Sequence, residues 1–122
     1  MSKKTSDDVL KKALCTVLKG ISSKWQLSDK EISDLLHEPE EVYQNWKLAE
    51  QVSFNGDGTY ERILDFVDFY DQASSFFSKV EDQIGFLNSI SSDFKYKSPL
   101  ELIKEDFKNV QALTCFFSSF NK

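Results

Sequence analysis

Asp65, Asp68 and Asp71 are the residues of this 122-residue chain whose type and spacing first suggest chemistry. On a helix, steps of three place them in one acidic row, and neighbouring carboxylates can act as acid and base or hold a cation. A metal needs ligands converging from other elements, and no such set is signalled, so a solvated acidic stripe is expected. His37, the only histidine, falls in a turn beside Glu38 with no nucleophile pattern that would make it part of a triad. Cys15 and Cys115 have neither CxxC nor metal spacing and are expected to be buried or half-buried small residues. Asn55-Gly56-Asp57-Gly58 resembles the opening of a calcium loop, but Tyr60 stands where glycine is required and Phe66 where the bidentate glutamate belongs. No glycine-rich phosphate cradle occurs. The expectation is a protein that is not an enzyme and uses neither metal nor cofactor.

Two stretches are better suited to binding. In the first, Glu38-Pro39-Glu40-Glu41 opens a helix on which Tyr43, Gln44 and Lys47 are the candidate DNA-contacting residues. The three carboxylates suit the positive end of the helix dipole but repel a phosphate backbone. The only arginine, Arg62, lies elsewhere. In the second, the tail Thr114-Cys115-Phe116-Phe117-Ser118-Ser119-Phe120 carries more aromatics than one buried stripe needs. Phe116, Phe117 and Phe120 are the candidate partner-binding residues, on the ground that an exposed aromatic is a good anchor. The competing reading is that all three complete the core.

The elements that must position these residues read as helices. From Tyr60 to Val80, Ile63, Phe66, Val67, Tyr70, Ala73, Phe77 and Val80 recur at steps of three and four, and Leu64, Phe69 and Phe76 widen the apolar surface. A helix apolar over most of its girth needs neighbours on several sides, so this one is expected to be the central strut, with Thr59 as its cap. Upstream, a first helix starts at Thr5–Asp8, tolerates Gly20, and carries the stripe Val9, Leu10, Ala13, Leu14, Val17, Leu18, Ile21 and Trp25. Ser28 and Glu31 have capping-box spacing, Leu27 can staple onto Ile32, and Pro39 is placed at N1 of a third helix faced by Val42, Tyr43, Trp46 and Ala49. Two short helices across a tight turn are the layout of a helix-turn-helix. Downstream, Glu81–Asn88 is a short helix, Ser89–Lys97 a loop pinned by Ile90, Phe94 and Tyr96, and Ser98 with Glu101 a second capping box. Asp106 interrupts or caps again, before a last face of Phe107, Val110, Leu113, Thr114 and Phe117.

The totals agree. Eleven Phe and 40% hydrophobic residues can fill a core, while four Gly and two Pro argue against a β-sandwich or barrel. The fold class is all-α: a compact multi-helix domain with an N-terminal helix-turn-helix-like part over 1–54, a helical part over 55–122, and one long central helix. Charge is uneven: Met1–Leu27 holds six Lys against two Asp, and Ser28–Asp82 four basic against fourteen acidic residues. An acidic middle does not suit a general phosphate binder. Acidic residues interrupt the central apolar stretch every few positions, Met1–Asp8 is polar with no apolar run behind it, and cysteines are few, so no membrane span, no leader and a reduced cytoplasmic setting are expected.

Several blocks, taken in order, resemble the antitoxins of Xre/MbcA/ParS-type toxin-antitoxin systems. Glu61-Arg62-Ile63, Phe86-Leu87 and Ser98-Pro99-Leu100-Glu101-Leu102-Ile103 are similar to the family's toxin-binding domain, with the usual gap between the last two. Trp25-Gln26-Leu27-Ser28-Asp29-Lys30-Glu31, Leu35-Leu36 and Tyr43-Gln44-Asn45-Trp46 resemble its Xre-like helix-turn-helix. Together they cover roughly Ala13 to Phe117. The chain departs from the pattern at Phe86, where the family has Trp, at Ile90-Ser91 for Pro-Asn, and at Asp106 for Gly. His37 or Glu38 replaces a small residue between the helices. The resemblance implies an antitoxin that binds a cognate RES-type toxin, one that consumes NAD or transfers ADP-ribose from it, and neutralises it by steric occlusion through the C-terminal region. It also implies a homodimer or a hetero-oligomer with the toxin, and autorepression through DNA, to which the acidic turn is opposed. The alternatives are a stand-alone protein-binding adaptor with a degenerate helix-turn-helix, or a DNA-binding autorepressor.

Overall fold

A computed structural model describes the backbone of residues 2–48 and 58–120, and their side chains except at 2–8, 93 and 120. The described residues form an all-α domain of α1 (Ser2–Lys24), α2 (Asp29–Leu36), α3 (Glu40–Leu48), α4 (Thr59–Phe76), α5 (Val80–Asn88), α6 (Pro99–Glu105) and α7 (Asn109–Phe120), with a 3-10 turn over Ser92–Phe94. α4 packs against α7 most extensively and also against α1, α2 and α5, as a helix apolar on several sides must. Phe66 and Phe69 on α4 are fully buried. Trp25, at the end of α1, meets Phe66 at 6.1 Å, Phe69 at 5.8 Å and Tyr70 at 5.0 Å between ring centres. One buried cluster thus runs from Leu14 on α1 to Phe117 on α7 and joins the 1–54 part to the rest. The division between the two parts falls within residues 49–57, outside the described residues, as does Ala49. No helix of the described residues is long and apolar enough to cross a membrane.

Local signals explain most of the ends. Both capping boxes form: Ser28 accepts from the Glu31 N–H at 3.1 Å, and Ser98 from the Glu101 N–H at 3.2 Å, with each glutamate reaching back to the cap nitrogen. The hydrogen bonds from Ser98 hold the Glu101 carboxyl below the usual glutamate range. Asp106 ends α6, and its carboxylate accepts from the Lys108 N–H at 3.0 Å ahead of α7. α1 passes through Gly20 unbroken.

Other expectations are corrected. α1 already begins at Ser2, because nothing in its first turns breaks a helix, so Thr5 and Ser6 are not its cap. The central helix stops at Phe76. Phe77 turns extended, and the Gln83 side chain, from α5, donates to the Phe77 carbonyl at 2.7 Å and accepts from the Trp25 indole at 2.9 Å. Thr59 is the first residue of α4 rather than its cap, a place taken by Gly58 at φ 83. Pro39 precedes α3, its carbonyl accepting from the Val42 and Tyr43 N–H groups. Of the α1 stripe, Val9, Leu10 and Ala13 lie exposed, because burial begins at Leu14, and Val17 lies exposed beyond it, off the face that Leu14, Leu18, Ile21 and Trp25 bury. Ile90 and Tyr96 do not pin their loop; they are 68% and 75% exposed, and only Phe94 turns inward.

Candidate functional site

The α2–α3 turn, residues 37–39, is where a DNA-reading module would meet its duplex. His37 ends α2 in the left-handed region at φ 59, where its N–H bonds back to the Asp34 and Ser33 carbonyls. Its ring closes on α6: Nε2 lies 2.8 Å from the Ile103 carbonyl oxygen, so Nε2 carries the proton and donates. The same ring stands edge-on to Phe107 at 6.0 Å. Glu38 is held from α4, where it pairs with Arg62 and accepts from the Thr59 hydroxyl at 2.9 Å. Arg62 Nε donates at 2.9 Å to the carbonyl of Leu36, one of the acceptors a helix C-terminus leaves open. The turn is therefore fastened to both α4 and α6.

The three candidate DNA-contacting residues behave alike in being occupied. Tyr43 is 1% exposed, with its hydroxyl 3.3 Å from the buried Ser22 hydroxyl, and burial pushes its phenol upward. It is a core residue, as its shared face with Trp46 already suggested, and does not reach a duplex. Lys47 sits 2.7 Å from both carboxylate oxygens of Asp29, over the Tyr43 ring. Gln44 is exposed and donates to Glu40 at 3.3 Å.

At the other end of the molecule, α4, α5, the 3-10 turn and α7 gather phenylalanines. Phe117 is 0% exposed and touches the rings of Phe69, Phe76, Phe77 and Phe86. This corrects its expected role: Phe117 belongs to the core. Phe116, one residue earlier and about 100° round the helix, is half-buried. It stacks on Phe86 at 6.2 Å with 14° between the ring planes, and meets Phe94 at 5.5 Å. Phe76 is 38% exposed and packs on Phe77 at 4.8 Å. Phe120 ends α7, and its side chain lies outside the described residues. Sequence reasoning named only the α7 members of this cluster. Phe76, Phe77, Phe86 and Phe94 come from three other elements, and only tertiary packing brings them together. The one available signal was the tail itself, which carries more aromatics than one buried stripe needs.

The candidate chemical groups are dispersed. Asp65 accepts from Gln111 at 3.2 Å, while Asp68 and Asp71 are exposed. Among the described residues, no group of three or more His, Cys, Asp and Glu side chains is arranged to hold a metal. Cys15 is buried, which pushes its thiol up to about 11, and Cys115 is exposed. Of the loop resembling a calcium site, only Gly58 is among the described residues. What the aromatic end offers is apolar contact area with rings held in fixed orientations. No family profile matches the chain, and comparison with curated proteins finds no significant relative.

Proposed function

We propose that this protein acts by binding another protein through its aromatic end, and that it is an antitoxin-like partner of a RES-type toxin that consumes NAD or transfers ADP-ribose. The observation that carries the binding reading is the cluster around Phe116, in which half-exposed rings from four elements surround the buried Phe117. Aromatic groups held rigid at a surface lose little freedom on docking and contribute strongly to interfaces. The choice of partner rests on the ordered blocks that resemble the Xre/MbcA/ParS antitoxins. The mechanism is steric: the helical domain covers the toxin's cleft and denies it NAD, with no chemistry of its own. Phe116 and Phe76 are the first contacts to test, with Phe120 one helical turn beyond Phe116 in sequence. DNA is not the main partner in this reading, since Tyr43 is buried and Lys47 is neutralised by Asp29.

The test is NAD loss catalysed by the product of the adjacent gene, with and without this protein at equal concentration. NAD consumed alone and spared in the mixture is the expected result. Consumption that continues unchanged, or a neighbour that leaves NAD intact, contradicts the antitoxin reading and leaves the adaptor.

A further inference from the structure

α1 carries an apolar face that the rest of the domain leaves uncovered. Leu14, Leu18, Ile21 and Trp25 bury one side of the helix, whereas Leu10 and Val17 are 44% and 42% exposed, with Ala13 and Gly20 exposed beside them. Leu10, Ala13, Val17 and Gly20 follow one another at steps of three, four and three. That is the spacing of a seam along which one helix packs on another. Val9 and Thr16, both exposed and uncharged, border it. The charged residues of the same span, Lys11, Lys12 and Lys19, lie about 120° or more round the helix from the centre of the seam. A Cβ built on Gly20 meets nothing within 4 Å, so the space above that residue is open to a side chain from outside.

The seam is complementary to itself in one direction. When two copies of α1 are laid antiparallel about a two-fold axis between Ala13 and Val17, Leu10 faces Gly20 of the second copy and Ala13 faces Val17. Each larger side chain then falls on a small residue, and the axis repeats every contact. Laid parallel, the same seam sets Leu10 against Leu10 and Gly20 against Gly20, one contact crowded and the other a gap. Lys24, the next position of the series, would also meet Lys24, and like charges repel. Size and charge therefore both select the antiparallel pair.

We propose that two copies of this protein associate through this seam, as an antiparallel α1 pair in which Leu10 of each copy seats over Gly20 of the other. The contact is a single helix face, well below the roughly 800 Å² per partner of a standard interface, so the dimer is weak and depends on concentration. It uses none of the rings at the aromatic end, and nothing in it depends on the antitoxin reading.

The experiment is sedimentation equilibrium of the full chain from about 5 to about 500 µM, with a reductant present so that the exposed Cys115 forms no disulfide. A monomer at the low end that becomes a dimer at the high end is expected. Val17→Lys sets two ammonium groups in the apolar contact and weakens association about tenfold or more. Lys19→Gln, on another face, leaves it unchanged. Gly20→Leu blocks the seat of Leu10 and also weakens association about tenfold or more; adding Leu10→Ala restores it, because large and small have exchanged places. Native circular dichroism shows that each variant folds. A monomer at every concentration overturns the proposal, as does a dimer indifferent to Val17→Lys. A dimer strengthened by Gly20→Leu is a parallel pair whose gap has been filled, and overturns it too. So does a monomer that instead sediments with phosphatidylserine vesicles, which gives the face to a bilayer.

Discussion

At the α2–α3 turn, His37, Glu38, Arg62 and Lys47 are engaged within the chain; at the end formed by α4, α5 and α7, rings remain on the surface after the core is filled. Glu38 and Arg62 hold one another and the close of α2, His37 holds α6, and Lys47 holds Asp29. None of these groups is left with charge or donors directed at a duplex. The aromatic end has the opposite character, with Phe117 satisfying the core while Phe116 and Phe76 keep part of their surface in water. Two regions considered as interfaces therefore differ in whether their functional groups are already consumed. A satisfied polar turn is a structural fastening, and a surplus of rigid apolar area is material for recognition.

The sharpest way to break this comparison is at two adjacent residues. Phe117→Ala opens a cavity in a fully buried site and is expected to cost about 4 kcal/mol. Phe116→Ala removes a half-exposed ring and is expected to cost about 1 kcal/mol, measured by urea unfolding of both. Similar losses for the pair would erase the distinction between core and contact.

The turn is tested next. Arg62→Met leaves Glu38 without its cation and the Leu36 carbonyl without a donor. The two side chains are 24% and 12% exposed, so the loss expected is about 2 kcal/mol, below that of a fully buried pair. A change under a few tenths would show that the fastening is ornamental. Gly20→Ala should raise stability by just under about 1 kcal/mol, because a Cβ there meets nothing within 4 Å in an otherwise continuous helix.

The smallest effect concerns the thiols. Cys115 should react with a disulfide reagent in the folded protein, whereas Cys15 should react only after unfolding, since its buried thiol stays protonated at neutral pH. Folding favours the protonated Cys15. That contribution is complete below the ordinary thiol value of 9.0 and is lost as pH rises from there through about 11. Equal reactivity of both thiols in the native state would contradict the packing of α1.

What the sequence made legible was local. Ser28 with Glu31 and Ser98 with Glu101 form their caps from residues three apart, so composition and spacing suffice. The apolar period of α4 located its buried face correctly through Ala73. It overran the end because Phe77 keeps the period while its backbone leaves the helix, drawn into place by Gln83. The Gln83–Trp25 bond spans 58 residues, and the Arg62–Glu38 pair 24; no spacing rule signals either. At the candidate site, the period Leu113–Phe117 already placed Phe117 inward, and Tyr43 shared a face with Trp46, so both corrections were available from helix geometry. The rings of Phe76, Phe86 and Phe94 were not, because they meet only when three elements pack.

The most direct measurement is calorimetric titration of the adjacent gene's product with the native protein, Phe116→Ala and Lys47→Ala. Docking through the aromatic end predicts that Phe116→Ala weakens binding tenfold or more, as a central aromatic anchor does, while Lys47→Ala binds like the native protein. Loss of binding in Lys47→Ala with Phe116→Ala unaffected would move the interface to the turn and contradict the account.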